Sequence, residues 1–296
     1  MASRIEHFLA KSWPERYRTA QFYFRQGLAQ FPYLPVPISL EISPRETAEF
    51  WWSRVVPYHN DERGFLDYWG HDAGDLRFLW RVLEPGMTFL DVGANEGIFS
   101  VVASEKLRGM GRVVSFEPSP REYRRLRLHL RLNSAANARA ERLAVGAEAG
   151  SLAFYEVATG GDTSRNGLRP PATSDALNQM AVEAVKLDEY VESHGIARVD
   201  MMKIDVEGGE LGIFGGAKRI LSEHRPTILC EVLDAAAEPW GYAAREVIDA
   251  LEAQRYCWFD VREDGSLTPH FSRARYPAVE NYVAVPIERC ARGATL

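Results

Sequence analysis

The sequence predicts an α/β fold built on a mostly parallel sheet. Apolar runs of strand length alternate with amphipathic segments of helical length from about residue 75 to residue 286. Continuous apolar strands are typical of a sheet that helices bury on both faces. Two of the runs end in an acidic residue, and a glycine-bearing turn follows the first of them. Both features are typical of the ligand-binding edge of such a sheet.

The composition sets the limits for the class of protein. The 296 residues allow one large domain or a domain with an appendage, and 46% hydrophobic residues supply a core. A net charge of -6 argues against a broad surface for nucleic acid or anionic membrane. The chain shows neither a membrane-spanning apolar run nor a hydrophobic signal segment, so we expect a soluble cytoplasmic protein. The three widely spaced cysteines predict neither a disulfide framework nor a zinc site.

Residues 1–72 are expected to form an aromatic-rich helical N-terminal extension. Three prolines interrupt residues 32–37, and the sequence Ser-Pro-Arg-Glu at residues 43–46 is typical of a capped helix start. The predicted helix continues through Trp52. We interpret the extension as helices packed on the main domain, because aromatic residues at helical spacing are usually core. A cap or lid over the substrate, or a homodimer surface, is the functional alternative.

Residues 89–97 predict a buried strand, a tight turn and the start of a helix. The strand ends at Asp91, and Gly93 and Gly97 allow the backbone to come close to a ligand. A dinucleotide fold requires G-x-G-x-x-G, so that a pyrophosphate can sit on the helix N-terminus. Here Asn95 occupies the place of the second glycine, which argues against a phosphate-bearing ligand.

The next predicted strand, residues 113–116, ends at Glu117. In nucleotide-binding folds, a carboxylate at this position binds the ribose hydroxyls. A ligand with a ribose and a cationic centre but no phosphate fits both motifs, and S-adenosylmethionine matches that description. An ordinary strand–turn–helix with an acidic cap is the alternative interpretation. The residues predicted to bind the cofactor are Asp91, Gly93, Ala94, Asn95, Gly97, Glu117, Pro118, Ala144 and Asp205.

Further elements follow in order along the chain. Residues 121–133 predict a helix with an arginine-rich face, which is interpreted as a solvated surface, with a nucleic-acid-facing stripe as the alternative. The third strand is predicted over residues 142–145, so that Ala144 flanks the adenine. Residues 147–186 are too long for a simple loop and predict an insertion. Within it, segments near residues 152–155 and 181–185 are expected to pair as antiparallel strands.

The remaining strands are predicted over residues 200–204, 227–232, 256–261 and 281–285. The first of them ends at Asp205, which Glu207 follows, and the second contains Glu231. A hairpin signal at residues 262–265 indicates that the final pair of strands is antiparallel. Since the carboxyl ends of parallel strands meet at one edge, we expect these acids to lie near Asp91 and Glu117.

Three motifs together, at residues 91–97, 116–118 and 203–210, resemble the FkbM-type S-adenosylmethionine-dependent methyltransferases. The resemblance covers roughly residues 75–286. It implies a class I methyltransferase (Rossmann-like) fold, a seven-stranded mostly parallel sheet with the last strand antiparallel, within a domain of residues 73–296. It also implies O-methylation of a small-molecule acceptor, a sugar or a natural product. The chain departs from the family pattern at Glu96 and Gly209.

An acceptor hydroxyl is a poor nucleophile, so the chemistry requires a base or a metal ion. Asp205 is a candidate general base, and His71 is another that could reach in from the first strand. Asp205, Glu207 and Glu231 could instead hold Mg²⁺, a hard cation that takes oxygen ligands. In a structural alternative, Asp205 and Glu207 cap the following helix. A protein or nucleic-acid methyltransferase and a non-catalytic cofactor-binding module are the alternative functions.

Overall fold

The structure is a computed structural model that describes residues 36–43, 46–52, 73–158 and 163–290. The chain divides into two compact units, Met1–Gly74 and Asp75–Leu296. Within the described residues, no helix is long and apolar enough to cross a membrane.

In the first unit, β1 (Val36–Ser43) and β2 (Glu46–Trp52) pair as an antiparallel hairpin. Buried and exposed side chains alternate along β2: Ala48, Phe50 and Trp52 are buried, and Thr47, Glu49 and Trp51 are exposed. This period of two is that of a strand with one covered face. The helix predicted from residue 43 through Trp52 is therefore wrong, because alternation outweighs the local capping motif.

The second unit contains the remaining elements. Its helices are α1 (Ala73–Val82, which begins at the unit boundary), α2 (Ile98–Leu107), α3 (Pro120–Leu132), α4 (Leu187–Ser193), α5 (Glu210–Gly216), α6 (Asp234–Ala237), α7 (Arg245–Glu252) and α8 (Ile287–Cys290), with a π-helical turn at Ile220–His224 and 3₁₀ turns at Thr163–Arg165 and Glu238–Trp240. Its strands are β3 (Thr88–Val92), β4 (Arg112–Phe116), β5 (Ala138–Glu141), β6 (Ala144–Val145), β7 (Gly150–Val157), β8 (Leu177–Val185), β9 (Met201–Ile204), β10 (Thr227–Glu231), β11 (Tyr256–Val261), β12 (Leu267–Pro269) and β13 (Asn281–Pro286).

Eight strands form the main sheet in the order β12-β11-β13-β10-β9-β3-β4-β5. Strands β10, β9, β3, β4 and β5 run parallel, and β13 is antiparallel to both of its neighbours. This confirms the predicted α/β class I topology with an antiparallel last strand. The sheet has one strand more than predicted, because the hairpin turn at residues 262–265 joins β11 to the short edge strand β12.

The centre of the main sheet is buried on both faces. Leu90 and Ile228 on one face and Phe89 and Leu229 on the other are fully buried, as expected for strands that read as continuous apolar runs. Burying one such side chain contributes roughly 1.5–3 kcal/mol, so these four residues form a rigid base for the adjoining strand ends.

The third strand of the main sheet lies earlier than predicted. It is β5 (Ala138–Glu141), whose side chains are only half-buried or exposed, and it pairs with β4. The predicted strand at residues 142–145 is wrong, because an edge strand carries no apolar run. Ala144 belongs instead to β6, in a separate three-stranded sheet of order β6-β8-β7.

The insertion forms this second sheet. Strands β7 and β8 are antiparallel, with Leu152 opposite Val182, which confirms the predicted pairing. Strand β6 runs parallel to β8, and the N–H of Gly146 donates to the carbonyl of Val185 at 3.1 Å. The two ends of the insertion are therefore held side by side.

Candidate active site

The carboxyl ends of four neighbouring strands meet at one edge of the main sheet. Asp91 lies near the end of β3, Glu117 follows β4, Asp205 follows β9 and Glu231 ends β10. The register aligns these ends, with Val92 opposite both Phe116 and Ile204. The sheet thus brings together the acids that the sequence singled out.

The turn after β3 is clamped between its neighbouring strands. The N–H groups of Gly93 and Ala94 donate to the carbonyl of Phe116 at 3.1 and 2.9 Å. Gly93 has a φ of +80°, and a Cβ there would lie 1.7 Å from the carbonyl oxygen of Asp205. Only glycine fits this position, because the backbone after β9 packs directly against the turn.

Asn95 and Gly97 complete the turn. Asn95 has a left-handed φ of +49°, and its side-chain Oδ1 is buried with no hydrogen-bond partner among the described residues. Gly97 immediately precedes α2, and a Cβ on it would lie 2.4 Å from Cδ1 of Leu126 on α3. Close packing of the two helices therefore fixes the turn, while a buried acceptor oxygen stays available for a donor.

Glu117 ties the turn to the start of α3. Its Oε2 accepts from the N–H of Asn95 at 2.9 Å, and its Oε1 accepts from the N–H of Ser119 at 2.8 Å. The residue is 5% exposed, and burial raises the pKa of the carboxyl to about 8 although both backbone hydrogen bonds oppose this. Pro118, which follows, is half-buried.

Asp91 is fully buried at this edge. Its Oδ2 accepts from the hydroxyl of Ser100 at 2.5 Å, and that hydroxyl lies 2.6 Å from Oγ of Ser115. Burial raises the pKa of Asp91, and the positive charge of Lys203 opposes the rise. Its Oδ1 is buried without a partner in the described part of the chain. The carboxyl thus holds the first turn of α2 with one oxygen.

Lys203 is the residue at this edge to which the sequence reasoning gave no role. It is 4% exposed, and its Nζ lies 2.9 Å from Oδ2 of Asp205 and 3.2 Å from the carbonyl of Gly93. The same ammonium lies 5.0 Å from the ring centre of Phe99. A lysine within an apolar strand was the available signal, since a buried charge requires partners.

Three carboxylates form a cluster beside this lysine. Each of Asp205, Glu207 and Glu231 offers an oxygen, and these oxygens lie within 4.8 Å of one another. Glu231 is 7% exposed, and its Oε2 finds no hydrogen-bond partner in the described ranges. Burial first, and then the charges of Asp205 and Glu207, raise the pKa of Glu231 well above its usual range. Such a cluster can accept protons or hydroxyl donors, or hold a hard cation.

Glu210 supports the loop that carries Asp205 and Glu207. Its Oε1 accepts from the N–H of Gly208 at 3.1 Å, and its Oε2 accepts from the hydroxyl of Tyr242 at 3.1 Å. Burial raises the pKa of Glu210 to about 7. Glu210 binds an N–H group of the loop before α5 rather than of the helix itself, so the capping predicted for Asp205 and Glu207 stays a prediction.

Two further predicted site residues belong to other parts of the chain. Ala144 is buried in β6 of the three-stranded sheet and follows the end of β5, whose Glu141 carbonyl accepts from the N–H of Glu117 at 3.0 Å, so its predicted place beside the adenine stays a prediction. His71 lies outside the described residues.

Two arginines of α3, Arg121 and Arg125, are engaged in internal ion pairs. Nη1 of Arg125 lies 2.9 Å from Glu96 and 2.6 Å from Glu122, and Nε of Arg121 lies 2.7 Å from Glu122. These contacts favour a structural role for these two side chains over nucleic-acid binding. They also account for Glu96, whose side chain is directed to α3 rather than into the turn.

Three methyltransferases are similar in sequence to this chain. The chain is 28% identical over 189 residues to the 31-O-demethyl-FK506 methyltransferase FkbM of Streptomyces tacrolimicus, which spans 50% of this chain and 70% of that protein. It is 29% identical over 207 residues to methyltransferase sdnD of Sordaria araneosa, 61% of this chain and 76% of that protein. It is 25% identical over 179 residues to the 2-O-methyltransferase NoeI of Sinorhizobium fredii, 57% and 72% respectively.

Among solved structures, the crystal structure of methyltransferase FkbM from Methylobacillus flagellatus aligns with a TM-score of 0.43 and 16% identity. The alignment covers 69% of this chain and 45% of that one, so this chain spans less than half of that protein. A family model described as the methyltransferase FkbM domain matches residues 91–257, more than half of the chain. The chain therefore belongs to the FkbM-domain family of methyltransferases.

Proposed function

We propose that this chain is an S-adenosylmethionine-dependent O-methyltransferase that acts on a hydroxyl of a small molecule, a sugar or a natural product. The names of two relatives, a 31-O-demethyl-FK506 methyltransferase and a 2-O-methyltransferase, support transfer to oxygen. The observation that carries the proposal is the clamp between Asn95 and Glu117, which joins a glycine turn to a buried carboxylate.

The residues present fit the cofactor. Its ribose hydroxyls and its ammonium are hydrogen-bond donors, and this edge offers acceptors. Oδ1 of Asn95 and Oδ1 of Asp91 are buried without a donor among the described residues, and each oxygen of Glu117 retains a free lone pair. Gly93 and Gly97 keep side chains out of the turn. S-adenosylmethionine, when bound, supplies a methyl group activated by a sulfonium.

Asp205 is the proposed general base. Lys203 holds its Oδ2, and its side chain is 32% exposed, so that a substrate hydroxyl can reach it. As the acceptor oxygen takes the methyl group, the bond from the methyl carbon to the sulfonium sulfur would break and S-adenosylhomocysteine would leave, while the hydroxyl proton would pass to the carboxylate of Asp205. Glu207 and Glu231 accept hydrogen bonds from the acceptor and align it, and alignment supplies much of the rate.

Binding of S-adenosylhomocysteine by calorimetry tests the cofactor half of the proposal. Glu117→Ala should weaken this binding strongly, since it removes the ribose acceptor, whereas wild-type protein without any heat signal would overturn the proposal. Binding without methylation of a broad panel of hydroxyl compounds would identify a non-catalytic module instead.

A turnover assay with Asp205→Asn and with a chelator separates the base from a magnesium site. For a base, we expect loss of activity in the variant and full activity with the chelator. If the chelator abolishes the activity and added Mg²⁺ restores it, the result would instead assign Asp205, Glu207 and Glu231 as metal ligands. Asp249→Asn, on the exposed face of α7, is the matched control.

The predicted lid or dimer role of residues 1–72 stays a prediction.

A further inference from the structure

The insertion brings part of its backbone against the carboxylate cluster. Gly167 is bridged to Tyr155 of β7 by two backbone hydrogen bonds of 2.8 and 3.1 Å. A Cβ on Gly167 would lie 3.4 Å from Cβ of Glu207. The segment after Gly167 therefore forms a wall beside the residues that we propose receive the acceptor.

This wall presents a stacked arginine. The guanidinium carbon of Arg169 lies 5.1 Å from the ring centre of Trp240, and Nε1 of Trp240 donates to the carbonyl of Glu207 at 3.1 Å. A hydrogen bond thus holds the indole against the loop that carries Glu207, and a cation–π contact holds the guanidinium over the indole. Stacking on an aromatic ring engages the face of a guanidinium and leaves its N–H edge available for a planar anion.

Arg169 is exposed, and it forms no ion pair with another residue of the described ranges. The nearby ammonium of Lys203 is already engaged with Asp205. A guanidinium is the side chain best suited to a carboxylate, because two parallel N–H groups match its two oxygens. The rim of the acceptor site therefore holds a positive group that is preorganised for a carboxylate.

We propose that Arg169 binds a carboxylate of the methyl acceptor and so determines acceptor specificity, with Trp240 as its positioning residue. This inference rests on the proposed function, and it narrows the acceptor to hydroxy acids such as sugar acids.

Paired glycosides test the inference on the full chain with saturating S-adenosylhomocysteine. Methyl α-glucuronoside carries a carboxylate at the position where methyl α-glucoside carries a hydroxymethyl group. By calorimetry, we expect the glucuronoside to bind about tenfold tighter or more, the effect of one charge-assisted bidentate contact. Arg169→Gln should remove the difference, and Arg169→Lys should retain only part of it because the planar fork is lost.

Arg127→Gln is the matched control, since Arg127 also lies over an aromatic ring, 5.8 Å from that of Tyr123 on α3, but away from the cluster. It should keep the full preference for the glucuronoside. Equal affinity for the two glycosides, binding of neither, or a preference that persists in Arg169→Gln would overturn the inference. Failure of S-adenosylhomocysteine itself to bind would overturn the proposed function instead, so the two failures are distinguishable.

Discussion

Gly93 is the residue whose replacement should most disturb the turn after β3. Gly93→Ala should destabilise the protein by more than the about 1–2 kcal/mol that a left-handed φ costs an alanine, because the new Cβ would also meet the carbonyl of Asp205. Gly109→Ala is the matched control, since Gly109 has a φ of +73° and open space around it. Urea unfolding followed by circular dichroism measures both losses, and equal losses would contradict the clash.

Glu117 should make cofactor binding depend on pH. Its pKa is raised to about 8, whereas ribose hydroxyls donate to the ionised carboxylate. Below about pH 8, binding of the cofactor must therefore remove the proton from the carboxyl of Glu117. The affinity for S-adenosylhomocysteine should rise up to about tenfold per pH unit from about pH 6 and level off above about pH 8. Calorimetry across this range checks it.

Glu117→Gln provides the control for this pH dependence, because an amide does not titrate. Its affinity should be weaker and flat over the same range. A slope that survives in the variant would assign the titration to another group.

At the residue scale, the sequence predicted the acids at the strand ends but not their supports. Asp91, Glu117 and Asp205 stand out because an acidic residue after an apolar run is a local pattern. Lys203 and Glu210 act through contacts made across the fold, with Gly93 and with Tyr242 respectively. Such contacts depend on which strands become neighbours, and local spacing does not show this.

At the scale of elements, the loop between β9 and α5 is held by one buried side chain. Glu210→Ala should lower the free energy of unfolding by about 1–3 kcal/mol for each buried donor left unpaired, the N–H of Gly208 foremost. Glu246→Ala removes a similar bond to the N–H of Ala243, but an exposed one, which water can replace. Urea unfolding should show the larger loss for Glu210, and similar losses would contradict the anchoring role.

The strands of the central sheet were predictable because burial there is two-sided, and the two strands that the sequence missed, β5 and β2, lack such burial. The strands β3, β4, β9 and β10 read as apolar runs because helices cover both faces of the central sheet. Strand β5, with the sequence Ala-Arg-Ala-Glu, lies at the sheet edge and carries no such signal. Along strand β2, buried and exposed side chains alternate. The strand conformation depends on antiparallel pairing with β1, which the local sequence of β2 does not show.

At the scale of the whole molecule, the proposed cofactor site is assembled from the ends of several strands and therefore exists only in the folded chain. A ligand that binds only the native state stabilises it by RT ln(1 + [L]/Kd), about 2.7 kcal/mol at a hundredfold excess over Kd. S-adenosylhomocysteine at that excess should raise the free energy of unfolding by this amount in urea titrations. No shift at saturation would show that the site is not formed as described.

The second sheet is joined to the main domain through two chain ends that lie next to each other, at Gly146 and Val185. A segment anchored in this way can be exchanged for another of different length with little loop-closure cost. The turn that we assign to the cofactor lies elsewhere in the chain, between β3 and α2. Changes within the insertion that keep its hydrogen bonds to Ser119 and Arg121 should therefore leave the proposed cofactor turn in place.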